Sequence, residues 1–193
     1  MTANLSDLPK HFGELSLAEA AAMMADQHLP PVERWDPPDR GDSHIEIRAD
    51  GSWWHKGEQI HRPALVRLFA SILRRERDGS YWLVTPHEKQ RITVIDLPFR
   101  AVEMLSEGEG VERQLLFRLD TGELVAANAD HPLSFQADAS EPRPALHVRG
   151  PIACGLAARI GRSLYYEIVE LSLLEGDDPP SIWSGGARFV LAA

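Results

Sequence analysis

Along this chain, apolar and polar residues alternate in short runs more often than they recur at helical spacing. Ile45 and Ile47 alternate with Glu46 and Arg48, the period of a half-buried strand. Ala49-Asp50-Gly51 then turns the chain into Ser52-Trp53-Trp54-His55, which predicts a hairpin. The arrangement recurs at Asp78-Gly79, which leads into Ser80-Tyr81-Trp82. Strands are predicted over residues 81–84 and 92–95, around the loop Thr85-Pro86-His87-Glu88-Lys89. Between the two copies, a helix is predicted over residues 63–75, with Pro63 in its first turn. Leu65, Leu68, Phe69 and Ile72 form its apolar face, and Arg67, Arg74 and Arg75 its polar one.

From Phe99 the texture becomes strand after strand. Strands are expected over residues 101–105, 111–119, 123–127, 133–135 and 145–149, with turns at residues 106–110 and at Asp120-Thr121-Gly122. Residues 137–144, which contain two prolines, read as a loop. Leu156, Ile160, Leu164, Ile168 and Leu171 form a stripe that predicts a long helix over residues 155–174. Trp183-Ser184-Gly185-Gly186 leads into a last strand over residues 188–191. At the other end, residues 5–27 predict a peripheral helix, with Ser16 as N-cap and Glu19 as its capping-box partner. Residues 30–42 carry four prolines, which argues against helix or ladder strand. They read as an arm pinned by Trp35, or else as a proline-rich ligand for a partner. The fold class is α+β, in two similar antiparallel-sheet-plus-helix halves. An N-terminal helix and arm (1–42) precede a first half (43–98) and a second (99–193), a weak internal repeat.

Composition narrows the function classes. With 193 residues, 44% hydrophobic and 25% charged, the chain suits one compact domain or two small ones. A net charge of −9 and a pI near 5.3 argue against nucleic-acid and anionic-membrane partners. Cys154 is the single cysteine, so an intramolecular disulfide and a cysteine-based zinc site are excluded. No basic-then-apolar leader and no run of about 18 apolar residues is present, and a soluble cytoplasmic protein is expected.

These residues resemble the bacterial domain of unknown function 1285 family. The likeness rests on Asp50-Gly51-Ser52-Trp53 with Ile60 and Arg62, on Leu65-Val66-Arg67-Leu68-Phe69, and on the block from Asp78 to Phe99. Tyr165-Tyr166-Glu167 and Trp183-Ser184-Gly185-Gly186 complete it. The resemblance implies a duplicated α+β core whose second half is pleckstrin-homology-like. It also implies a nucleotide-like ligand between the halves and a role in signal transduction.

Two segments carry candidate binding chemistry. Thr85, His87 and Lys89, with Arg62 before the first helix, gather hydroxyl, imidazole and cationic groups suited to phosphate; the bland reading is a solvated hairpin tip. Trp183, Ser184, Gly185 and Gly186 set an aromatic face beside backbone N–H groups able to converge on an anion; the bland reading is a packed turn. Tyr166 joins this candidate set. Asp120-Thr121-Gly122 has the form of an aspartic-protease triplet, but in one copy it reads as a tight turn. Cys154 with upstream His147 reads as a small buried residue, and the eight histidines lack metal-ligand spacing. The expected function is a non-catalytic ligand-binding or signalling module for a small anionic, nucleotide-like molecule, held by Arg62, Lys89 and the 183–186 turn. No metal or other cofactor is expected. The alternatives are a protein-interaction adaptor, with a protein as partner, and a hydrolase working through His87 and Glu88 or Cys154.

Overall fold

The computed structural model describes Ser16, Glu19 and residues 22–24, 26–138 and 141–191, with backbone alone over residues 136–138 and 141–142. The two Asp-Gly turns frame the first sheet. Its elements are β1 (Asp39–Ile47), β2 (Trp53–His55), β3 (Glu58–Gln59), α1 (Pro63–Ser71), β4 (Leu73–Arg75), β5 (Tyr81–Val84) and β6 (Lys89–Val94). The strands lie in the order β3-β2-β1-β6-β5-β4, and β1 runs parallel to β6. Alternation sends Ile45, Ile47, Trp53, Leu73, Leu83 and Ile92 to the buried face, where Trp53 stacks on Phe69 of α1 with ring centroids 6.3 Å apart. Each fully buried Ile or Leu there contributes about 1.5–3 kcal/mol relative to exposure.

Four expectations for this region are corrected. The helix ends at Ser71, and residues 73–75 are a strand pairing Leu73 with Leu83 and Arg75 with Tyr81. Leu73 lies at the margin of the helical stripe formed by Leu65, Leu68, Phe69 and Ile72, and strand pairing buries it completely. Leu68 is 56% exposed, because a helix this short buries a narrow stripe. Arg74, assigned by sequence to a solvated face, is buried. Its guanidinium donates to the carbonyls of Val32 (2.8 Å) and Trp35 (2.6 Å) and to Glu76 Oε1 (2.5 Å). These bonds pin the proline-rich arm. The arm is also more ordered than its prolines suggest: Val32–Arg34 make a 3-10 turn, and β1 begins at Asp39, one residue past Pro38.

The remaining strands are β7 (Phe99–Glu107), β8 (Gln114–Leu119), β9 (Leu124–Ala126), β10 (Leu133–Asp138), β11 (Glu141–Arg149) and β12 (Leu156–Ile160). Then come α2 (Arg162–Glu175), β13 (Ser181–Ser184) and β14 (Ala187–Val190). The second sheet runs β10-β11-β12-β7-β8-β9, and β13 and β14 form a separate ribbon. The loop expected over residues 137–144 is strand: β10 and β11 pair from Leu133↔Leu146 to Asp138↔Glu141. Pro142 and Pro144, two residues apart, turn their donor-less nitrogens to the same side of β11, so one ladder bears both losses. The long C-terminal helix is also corrected. Leu156, Ala158 and Ile160 are buried on a strand of period two, and the helix starts after Gly161. Leu156 and Ile160 fit both periods; Ala158 breaks the tie.

Ser16 and Glu19 form the predicted capping box. Glu19 Oε2 accepts from the Ser16 N–H (2.9 Å) and Oγ (2.7 Å), and the Glu19 N–H donates to Ser16 Oγ (3.3 Å). Most of residues 5–27 lie outside the described residues. Met23 and Met24 pack on Leu116 and Leu124. The Gln27 amide pairs with both backbone groups of Leu124, at 3.1 and 2.9 Å, closing the edge of β9 as a neighbouring strand would.

The chain divides into two compact units, His28–Phe99 with Val148–Ala157, and Met1–Gln27 with Arg100–His147 and Ala158–Ala193. Within the first, the Arg149 guanidinium caps the carbonyl of Ala70 at the end of α1 and lies 5.2 Å over the Phe99 ring.

Candidate functional site

The strongest local pattern is the pair of Asp-Gly-Ser-aromatic-Trp turns. In the first, Asp50 Oδ1 accepts from the N–H (2.9 Å) and Oγ (2.6 Å) of Ser52, whose Oγ accepts from the Trp54 indole N–H (2.8 Å). In the second, Asp78, Ser80 and Trp82 repeat the relay at the same distances. Gly51 and Gly79 supply the left-handed corner, with φ of 85° and 86°. Hydrogen bonds from each Ser hold the Asp50 and Asp78 carboxyls below the usual carboxylate range. Each relay therefore fixes one indole in orientation.

Both indoles stand on the face of the first sheet opposite Trp53. Trp54 pairs with Glu46, which pairs with Thr93; Trp82 pairs with Arg91 on one side and Arg74 on the other. Both rings are half-buried, and Arg91 and Thr93 are exposed. Each ring carries a cation: the Arg48 guanidinium lies 3.6 Å over Trp54, and the Lys89 ammonium 5.0 Å over Trp82. Lys89 also lies 3.7 Å from Glu76 and Arg48 2.9 Å from Glu46, so both cations are steadied but remain partly open.

Lys89 thus sits at the centre of a built group. Its loop companions differ. The Thr85 hydroxyl accepts from the N–H groups of His87 (3.3 Å) and Glu88 (3.2 Å) and donates to the Glu88 carbonyl (3.0 Å), so it is spent on closing the turn. His87 is exposed at the tip, and Arg62 is the exposed N-cap residue of α1.

The second candidate segment is consumed internally. Gly185 and Gly186, with φ of 57° and 73°, form the two-residue turn of the β13–β14 hairpin between Ser184 and Ala187. The Gly185 N–H donates to the Arg113 carbonyl (3.0 Å). Fully buried Ser184 accepts from the Leu115 N–H (2.8 Å) and donates to the Ala127 carbonyl (2.6 Å). Arg113 in turn forms a buried pair with Glu175 (2.8 Å) and donates to Ser106 (2.7 Å). Trp183 is half-buried on the same hairpin, and Tyr166 is 60% exposed on α2.

Elsewhere, Asp120 is pushed up to about 6 by burial, although its N–H-accepting bond from Arg100 (3.2 Å) favours the ionised form. Its residue surface stays largely open, so the shift reflects partial desolvation at the turn. Among the described residues no group of three or more His, Cys, Asp or Glu is placed to hold a metal ion. No described helix is long and apolar enough to cross a membrane.

Two family models cover the chain: the domain of unknown function (DUF1285), N-terminal domain, at residues 30–97, and the protein of unknown function (DUF1285), C-terminal domain, at residues 98–191. The chain belongs to the DUF1285 family. A DUF1285 family protein from Silicibacter pomeroyi DSS-3 is 38% identical, with a TM-score of 0.78 over 92% of this chain and 95% of that one. A second, from Shewanella baltica OS155, is 27% identical, with a TM-score of 0.52 over 69% of this chain and 95% of that one. No curated protein matches the sequence. The boundary between the two DUF1285 models falls just before β7, the first strand of the second sheet in chain order, and each half contributes one six-stranded sheet and one main helix. Membership establishes an α+β fold of two similar halves within a family of unknown function.

Sequence reasoning named Lys89 but passed over Trp54 and Trp82 as strand starts. The signal was present: in each copy the second aromatic follows the first by one residue, so if one faces the core the other faces out.

Proposed function

We propose that this DUF1285 protein is a non-catalytic binding module for a small anionic ligand that carries a flat ring. Its binding group is the outer face of the first sheet at Trp82, Lys89 and Arg91, with His87 at the rim. The supporting observation is the Lys89 ammonium held 5.0 Å over an indole that the Asp78–Ser80 relay locks in place. A ring stacks on the exposed part of the indole, and Lys89 and Arg91 supply charge-assisted hydrogen bonds to its anionic group. The overall charge of −9 favours a ligand with few charges over a polyanion. A thermal-shift titration with adenosine nucleotides tests this. Ligand at about 100 times its dissociation constant adds about 2.7 kcal/mol, a rise of several degrees. The rise disappears in Lys89→Ala if the reading holds; a shift that survives Lys89→Ala and Arg91→Ala together contradicts it.

An adaptor reading has its own observation. Tyr166, Leu173 and Leu174 on α2 are 60%, 64% and 82% exposed. Pull-down with the intact protein against Leu173→Glu separates the two: a partner lost in that variant and kept in Lys89→Ala favours the adaptor.

A further inference from the structure

The first Asp-Gly-Ser-aromatic-Trp copy, at Asp50, has no part in the reading above, yet it repeats every element of the second. Trp54 has the same hydrogen-bonded indole and a cation closer to its ring, Arg48 at 3.6 Å. The register places it on the same face. Trp54, Glu46 and Thr93 lie in one cross-strand row, and Arg91, beside Trp82, is two residues before Thr93 on the same side of β6. From β2 to β5 is three strand spacings of about 4.8 Å, and the rows are offset by about 7 Å, so the two tryptophans stand about 16 Å apart. Between them the face presents Glu46, Thr93 and Arg91, polar side chains with no bulky apolar one among them. A lone turn motif needs no such pairing; two stations of like chemistry on one exposed face suit a ligand with two like ends.

We infer that the sheet face is one elongated site for a molecule carrying two flat rings joined by a short anionic link, the chemistry of a dinucleotide. One ring stacks at Trp82 with Lys89, the other on the Arg48 guanidinium that already lies over Trp54, and the link passes Arg91. This rests on the binding-module reading and deepens it. Joining two weak contacts makes the second intramolecular, so affinity rises without any new contact type, provided the link spans the distance.

The experiment is calorimetric titration of the intact protein with ATP, diadenosine triphosphate and diadenosine pentaphosphate, on wild type, Trp54→Phe and Arg48→Ala. Arg48 is exposed, so Arg48→Ala keeps the test valid if Trp54→Phe loses stability. The expected result is at least tenfold tighter binding of one dinucleotide than of ATP. Arg48→Ala removes that advantage, while the remaining ATP binding still depends on Lys89. Equal affinity for ATP and both dinucleotides, with ATP still dependent on Lys89, overturns the elongated site and leaves the module standing. An advantage that persists in Arg48→Ala also overturns it. Absence of binding by all three probes overturns both readings.

Discussion

The Lys89 and Ser184 segments look alike in sequence, each with a hydroxyl, an aromatic neighbour and a turn. In the folded chain they differ in where their donors go. Around Lys89 the hydroxyls of Ser80 and Thr85 close turns, while the ammonium and the indole face stay partly open. Around Ser184 the hydroxyl, the Gly185 N–H and the Arg113 guanidinium are all engaged inside the protein. A motif rich in donors is a binding site only where the fold leaves donors unspent.

The largest expected effect tests the internal character of the second segment. Glu175→Ala strands buried Arg113 and costs about 3–5 kcal/mol, read by denaturant unfolding. Ser184→Ala leaves the Leu115 N–H without its partner and costs about 1–3 kcal/mol. Gly185→Ala is worse than Gly186→Ala, since a Cβ at 185 would meet Asn128 Cβ at 2.7 Å whereas at 186 it meets open space. Equal effects for the two glycines would undo the claim that this turn is packed from within. On the other side of the comparison, Lys89→Ala lowers stability by about 1 kcal/mol or less, its ion pair being partly exposed, while abolishing ligand binding.

The smallest effect concerns pH. The Asp120 pKa is raised in the fold, to about 6 from 3.8, so its neutral form is favoured on folding. Its penalty is absent below pH 4 and is complete above pH 6. Asp120→Asn, neutral throughout, gains on wild type between those values, as melting temperatures at pH 4 and pH 7 would show. A constant difference across that range would mean the carboxyl is not desolvated.

The first half was legible because its signals agree. Asp50-Gly51 and Asp78-Gly79 announced turns, and β1, β2 and β5 followed where alternation put them. The errors fell where two periods coincide, as at Leu156 and Ile160, or where pairing overrides a residue's reputation. Pro142 and Pro144 sit in β11 because their missing donors share one side, and Arg74 is buried because carbonyls of the arm receive it. No local pattern states those partners; Val32 and Arg74 are 42 residues apart. The candidate site was half legible for a related reason. Lys89 is visible as a cation, whereas Trp82 becomes part of a site only through the strand register that sets it beside Arg91.

The five tryptophans offer the most direct measurement. A two-dimensional nitrogen–proton spectrum resolves each indole N–H, and single Phe variants assign them. On titration with adenosine nucleotides, the Trp82 signal should move at the lowest concentrations, with Trp183 still. Movement of Trp183 with Trp82 unchanged would place the ligand at the C-terminal hairpin and contradict the account.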